Sequence, residues 1–205
     1  MIRLDHLAIA CETLDEGRAF AERALGVALQ PGGKHDHFGT HNLLLGLEDG
    51  ICLEVIAIDP DAPDPGRRRW FDLDDFRGPP RLTHWICQTG DMAAALRGAP
   101  PGMGPVADLQ RGDLRWQMAS GAAGRLPFDA VSPALIAWAD SPHPSIRLVS
   151  SGLRLQELTV LHPQAAKLPA ALAPLLQDAR IRVEPAAGPG LKTRFADASG
   201  VVRWL

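Results

Sequence analysis

Three segments of the chain open alike, and this internal repeat limits the possible folds more than any other feature. They are Leu4-Asp5-His6-Leu7-Ala8-Ile9, Leu82-Thr83-His84-Trp85-Ile86-Cys87 and Leu155-Gln156-Glu157-Leu158-Thr159-Val160. Each is a short run of strand formers, followed by a helix-forming stretch and then by further strand-like runs. In the first unit Thr13 and Glu16 have capping-box spacing, and Phe20, Ala24 and Leu25 give an apolar stripe. Gly26 stands where a helix C-terminus takes a left-handed residue. Strands are expected at 27–30, 43–47 and 51–58, with Glu48-Asp49-Gly50 as a hairpin turn. The order is βαβββ.

This pattern places a first module at 1–58, a Pro-rich linker at 59–80, a second βαβββ-like module at 81–145 and a third at 150–205. The second has a short helix, interrupted after it by Pro100, Pro101, Gly102 and Gly104, and strands at 106–110, 114–118 and 134–138. In the third, Pro169 and Pro174 fall inside the helical stretch. Proline in a helix interior costs ~3 kcal/mol, so that helix should be shifted, kinked or split. Its final strands are expected at 181–183, 191–195 and 201–204. The expected class is α+β: repeated βαβββ modules whose curved mixed sheets surround a cleft, with a third partial module at the C-terminus.

Composition removes several function classes. Formal net charge is -3, and the one basic run, Arg67-Arg68-Arg69, lies among Pro, Gly and Asp, so nucleic acid is not an expected partner. No apolar run approaches the ~20 residues that span a bilayer. Cys11, Cys52 and Cys87 lack the spacing of a disulfide framework or a zinc-thiolate site. With no signal-peptide pattern after Met1, a soluble cytoplasmic protein with reduced, buried thiols is expected. There is no Gly-x-Ser-x-Gly, His-Glu-x-x-His or phosphate loop.

The candidate chemistry derives from the repeat. His6 and His84 occupy the same place in two related strands. On a period of two, His6 shares a face with Leu4, Ala8 and Ala10. Glu54, inside Ile-Cys-Leu-Glu-Val-Ile, needs a partner, because desolvating a lone charge costs several kcal/mol; a metal, Arg, Lys or His would serve. His35, His37 and His41 lie in a polar loop with Asp36 that reads as solvated, and His41-Asn42 is the better candidate there. Gly112-Asp113 make a hairpin turn, with Arg115 and Trp116 on opposite faces of the strand after it. Trp116 and Trp138 either line a pocket or sit in the core. His143, between two prolines, either covers the cleft or caps a loop.

Several stretches carry a resemblance. They are Leu4-Asp5-His6-Leu7, Pro31-Gly32-Gly33-Lys34-His35, Gly39-Thr40-His41-Asn42-Leu43-Leu44, Gly50-Ile51-Cys52-Leu53-Glu54-Val55-Ile56 and Arg111-Gly112-Asp113-Leu114-Arg115-Trp116, then Leu126-Pro127-Phe128 and Ile136-Ala137-Trp138 with His143-Pro144. In this order they resemble the glyoxalase-like domain of the vicinal-oxygen-chelate superfamily. The resemblance implies paired βαβββ modules around a cleft, often with a divalent metal bound by the first and last strands of the modules. His6, His84 and Glu54 would then be metal ligands, a set that suits Fe, Mn, Ni or Zn. A fourth ligand would come from the last strand of the second module, which offers no carboxylate before Asp140. In a rival pairing of modules one and three, Glu157 takes the place of His84; otherwise Glu157 is a salt-bridged strand residue.

Glu54 and His41 are the expected acid/base groups. Thr40, Asn42, Trp116, Trp138 and His143 are the expected substrate contacts. The reaction implied is metal-assisted lyase or isomerase chemistry on a small oxygenated metabolite. Dioxygenation is a further option, against which the absence of tyrosine counts. The alternatives are a drug-sequestering protein without catalysis, or a degenerate member with core histidines. Module exchange between protomers makes a homodimer an expectation.

Overall fold

The computed structural model describes residues 2–139, 141–175 and 178–205. Its first half is β1 (Ile2–Ala10), α1 (Leu14–Leu25), β2 (Gln30–His35), β3 (Thr40–Gly46) and β4 (Cys52–Ile58). The second is β5 (Arg81–Thr89), α2 (Met92–Gly98), β6 (Val106–Arg111), β7 (Leu114–Ala119) and β8 (Ala134–Trp138). These eight strands form one mixed sheet in the order β2-β3-β4-β1-β5-β8-β7-β6. In each half the first strand runs parallel to the last, and the halves meet where β1 pairs antiparallel with β5. The sequence repeat is therefore a repeat of topology. The sheet curls until its two edges meet, where Arg111 at the end of β6 reaches His35 at the end of β2.

Local chemistry places α1. The Thr13 hydroxyl accepts from the Glu16 amide, and Gly26 ends the helix in a left-handed conformation. The buried stripe is Gly17, Ala21 and Leu25, one residue around from the stripe expected. It packs on β4 and β3, leaving the opposite, concave face of the sheet free for a cleft.

The C-terminal unit comprises β9 (Arg154–His162), α3 (Leu168–Leu172), β10 (Ile181–Pro185), β11 (Gly190–Ala196) and β12 (Val202–Trp204). Pro169 sits in the first turn of α3 and Pro174 beyond its end, so neither interrupts a helix interior. The element order is again βαβββ, but the pairing differs. The strands form a separate sheet, β10-β9-β11-β12, in which β9 pairs with β10 and β11 rather than with the last strand. This sheet packs on β5 and α1. Glu157 lies in it and pairs with Arg182 at 3.1 Å, so the rival pairing that would bring Glu157 beside His6 is not what the structure holds.

The segment between β4 and β5 folds back over the concave face. Its short 3₁₀ turn, Trp70–Asp72, inserts Trp70 and Phe71 among the buried side chains. Phe71 and Asp72 both have positive φ, an uncommon state for an aromatic residue. Contacts on both sides hold the turn: Arg69 bonds to the Asp74 carboxylate, and the Asp72 amide donates to the Gly124 carbonyl at 2.9 Å. Among the described residues, no helix is long and apolar enough to cross a membrane.

Candidate active site

The centre of the site is made by a bulge. In the β1–β5 ladder Leu4 pairs with Cys87 and His6 with Ile86, so Asp5 is an extra residue with no partner. The bulge turns Asp5 into the cleft beside His6 and sends Leu4 to the other face, which corrects the strict alternation expected for this strand. The mate of this bulge lies in β5, where Thr83 is the extra residue next to His84. The two bulges thus occupy equivalent places in the repeat.

Asp5 is fully buried, and its carboxylate is surrounded by donors. His6 Nδ1 lies 2.6 Å from one oxygen, and Trp138 Nε1 donates to the other at 2.9 Å. His143 Nε2 stands 3.1 Å from that second oxygen as an ion-pair contact. His143 is the cap of a short 3₁₀ turn, Pro144–Arg147, that covers one side of the cleft. Burial opposes ionisation of Asp5, but the contacts with His143 and His6 outweigh it and hold the carboxyl well below the usual range.

The other nitrogen of His6 faces Glu54, with Nε2 and Oε2 3.6 Å apart. Glu54 Oε1 accepts from Asn42 Nδ2 at 2.5 Å, and Asn42 Oδ1 accepts from the Gly33 amide at 2.7 Å, which fixes the amide's orientation. Gly32 is required beside it, since a Cβ there would lie 2.0 Å from Asn42 Oδ1. Burial works against both charges of the pair. The contacts with Asp5 and Glu54 nevertheless raise the His6 pKa to about 9, and the contacts with His6 and Asn42 lower that of Glu54 to about 2. His6 is an imidazolium at neutral pH, held between two carboxylates.

The polar lining continues from Asn42 to His35 and Arg111. Arg111 can only donate, so His35 Nε2 accepts from it at 2.9 Å, and Nδ1–H of His35 donates to the Thr40 hydroxyl at 3.1 Å. Burial pushes the His35 pKa down to about 4, with Glu54 opposing and Arg111 adding to the effect. Much of the remaining lining is apolar: Trp70, Phe71, Trp116, Met118, Ile136 and Trp138. Trp116 and Trp138 are a cross-strand pair with ring centres 5.5 Å apart.

The structure brings most of the residues expected from the sequence together. His6, Glu54, Asn42, Trp116, Trp138 and His143 line one cleft. Thr40 stands behind it as the partner of His35. His41 is on the opposite face of β3 from Asn42, between Thr40 and Asn42 in the alternation, and does not line the cleft; its placement there as an acid/base group is corrected. His84 is buried, and among the described residues neither of its ring nitrogens has a partner. The Phe71 ring packs against it, with centres 4.7 Å apart. Burial lowers its pKa to about 3 against the opposing charge of Glu54. Asp140 lies outside the described residues.

Among the described residues no three His, Cys, Asp or Glu side chains come together to hold a metal ion. His6 and Glu54 face each other, but Phe71 stands against the ring that would complete the set. As placed, the side chains do not fit a metal site with three protein ligands. Asp5, His35, Trp70, Phe71 and Arg111 are site residues to which the sequence pattern assigns no role.

A curled sheet built from two βαβββ halves, with a polar cleft where their first strands meet, defines the glyoxalase fold class. The glyoxalase-like domain family matches residues 4–176, and the chain belongs to that family. Among solved structures, a hypothetical protein from Staphylococcus aureus aligns over 100% of this chain and 98% of its own, at 13% identity and a TM-score of 0.68. Methylmalonyl-CoA epimerases from Streptomyces coelicolor and Mycobacterium tuberculosis align over 68% of this chain and over 98% and 88% of theirs. Their identities are 21% and 20%, and their TM-scores 0.42. No curated protein matches by sequence.

Proposed function

We propose that the protein is an enzyme that moves a proton at a carbon beside a carbonyl of a small molecule, in an isomerase or lyase reaction. The observation that carries this reading is His6, held between Asp5 and Glu54 at the polar wall of an aromatic cleft. The imidazolium can donate to a carbonyl oxygen and stabilise the enolate that forms. Glu54 stands on the same side as the proton acceptor. A carbonyl oxygen placed against His6 Nε2 would interrupt the direct contact with Glu54. That contact helps hold the carboxyl near 2, so losing it returns Glu54 toward ordinary basicity. Asp5 keeps His6 oriented and charged throughout.

The reading is tested in D2O by NMR, following solvent deuterium entering the carbon next to the carbonyl in a panel of small oxo compounds. The wild type is expected to catalyse exchange in at least one of them, and Glu54→Gln to slow it by about 10²–10⁴-fold. Exchange in Glu54→Gln at the wild-type rate would overturn the role of Glu54 as the proton acceptor, and no exchange by the wild type would leave the non-catalytic binding protein as the better reading. The aromatic wall favours that alternative.

A further inference from the structure

Among the described residues, the cleft contains a cation that no carboxylate matches, Arg111. Asp5 and Glu54 both take His6 as their partner. Lys34, near the same edge of the sheet, is held by Asp59 at 2.7 Å. Asp113, two residues beyond Arg111 in its own hairpin, is engaged by Arg147. Among the described residues Arg111 has no acidic partner. Its one side-chain bond goes to His35 Nε2, an uncharged acceptor. A guanidinium carries five N–H donors in a planar fork, so the rest of the fork is available in a half-buried site that lines the cleft.

The position of this cation matters as much as its lack of a partner. Along the polar wall the contacts run from Arg111 to His35, from His35 to Asn42 at 3.5 Å, from Asn42 to Glu54, and on to His6 and Asp5. A group bound at Arg111 therefore lies at the end of the same chain of contacts as the acid/base pair, in a cleft that Trp70, Trp116 and Trp138 also line. A dianionic phosphate would call for a second free cation, and Lys34 is already paired. A single carboxylate matches the fork in both charge and shape.

We propose that the substrate is a small organic carboxylate with an apolar or aromatic portion, and that Arg111 binds its carboxylate while the aromatic wall takes the rest. This substrate class rests on the proton-transfer reading of the same cleft. Arg111 is a specificity-determining residue in this arrangement, and its clasp on His35 pre-orients the fork.

Phenylacetate and its neutral counterpart phenylacetamide test the proposal by calorimetric titration, with phenyl phosphate as a third arm. The wild type is expected to bind phenylacetate at least ~10-fold more tightly than the other two. Arg111→Met should abolish the preference over phenylacetamide while leaving amide binding unchanged, and Arg111→Lys should keep part of it. The comparison on the wild type needs no variant to fold: equal affinity for acid and amide, or no binding of the acid, overturns the proposal. Tighter binding of phenyl phosphate overturns the choice of carboxylate. Undiminished phenylacetate binding by a folded Arg111→Met protein overturns the role of Arg111. Acid-selective binding without deuterium exchange would sink the proton-transfer reading and leave the carboxylate site standing; exchange without acid selectivity would do the reverse.

Discussion

Replacing Asp5 by Asn removes one charge from the cleft while nearly preserving its shape, and the consequence falls on His6. The His6 pKa stands at about 9 against an ordinary 6.5. At 1.36 kcal/mol per unit, that difference is about 3 kcal/mol of preference for the imidazolium. Burial acts in the other direction, so the two carboxylates together supply more than this. Asp5 supplies the larger share, because it touches Nδ1 at 2.6 Å whereas Glu54 lies 3.6 Å from Nε2. In Asp5→Asn, Glu54 alone opposes burial, and the His6 midpoint is expected to fall to about 7 or below.

The effect on stability has a definite sign. A folded-state pKa raised above the unfolded value gives stability that is complete below pH 6.5 and is lost as pH rises through about 9. The lowered pKa values of Asp5 and Glu54 give stability that is present above the ordinary carboxylate range and lost on acidification. Wild-type stability should therefore decline between pH 6.5 and 9. In Asp5→Asn that decline should shrink, and the variant should be about 3 kcal/mol less stable near pH 6. NMR titration of the His6 Cε1–H signal and urea unfolding across this range measure both effects. A His6 midpoint that stays near 9 in the variant would refute the assignment of Asp5 as its main counter-charge.

Two further substitutions probe the other half of the site. His84→Leu removes two buried ring nitrogens that have no partner among the described residues, so stability in urea should be unchanged or rise by about 1–2 kcal/mol. A marked loss of stability would mean that His84 has a bound partner in solution, and metal analysis of the wild type would then identify it if it is an ion. Gly124→Ala should cost about 2–3 kcal/mol, because φ is +79° there and a Cβ would lie 1.9 Å from the Arg69 carbonyl oxygen. That contact holds the turn carrying Trp70 and Phe71, so increased quenching of tryptophan fluorescence by acrylamide should accompany the loss.

The fold is legible in the sequence because the repeat marks β1, β5 and β9 with the same short pattern, and because turns at Gly50 and Gly112 separate well-formed strands. The strand at Ala134–Trp138 falls where its apolar run predicts. The rest is hidden for physical reasons. A bulge adds one residue without altering composition, so a period of two cannot show that Asp5 and His6 face the same way. β2 contains Pro31, Gly32 and Gly33, which have low strand propensity, yet pairing with β3 carries the strand on to His35. His35 therefore looks like a solvated loop residue and is instead buried behind Arg111. His41 has the more suggestive neighbours, but on β3 the alternation that brings Asn42 to the cleft turns His41 away. Trp70 and Phe71 do leave a signal, since two adjacent large aromatics in a polar, proline-rich stretch are seldom left in water. The prolines around them mask it, because they make the whole segment read as a linker.

The repeat also shows how the two halves have come to differ. Each half has a first strand with a bulge followed by a histidine, and the folding pattern sets the two histidines in equivalent places. In the first half the bulged residue is Asp5, and the last strand offers Glu54 two residues beyond the register position of His6, so the imidazole is charged and hydrogen-bonded. In the second half the bulged residue is Thr83, whose hydroxyl reaches only the Ala8 carbonyl at 3.4 Å. The last strand of that half is wholly apolar where it pairs with β5, from Ala134 to Ile136. With no acid hydrogen-bonded to it among the described residues, His84 has only the charge of Glu54 to favour its cation, and burial outweighs that. Burial keeps it neutral, and Phe71 fills the space in front of it. A symmetric scaffold has thus become an asymmetric cleft, with charge concentrated on one polar wall and aromatic surface supplied by the other half and by the segment that joins them. Such a division suits a substrate that is itself asymmetric, polar at one end and apolar at the other.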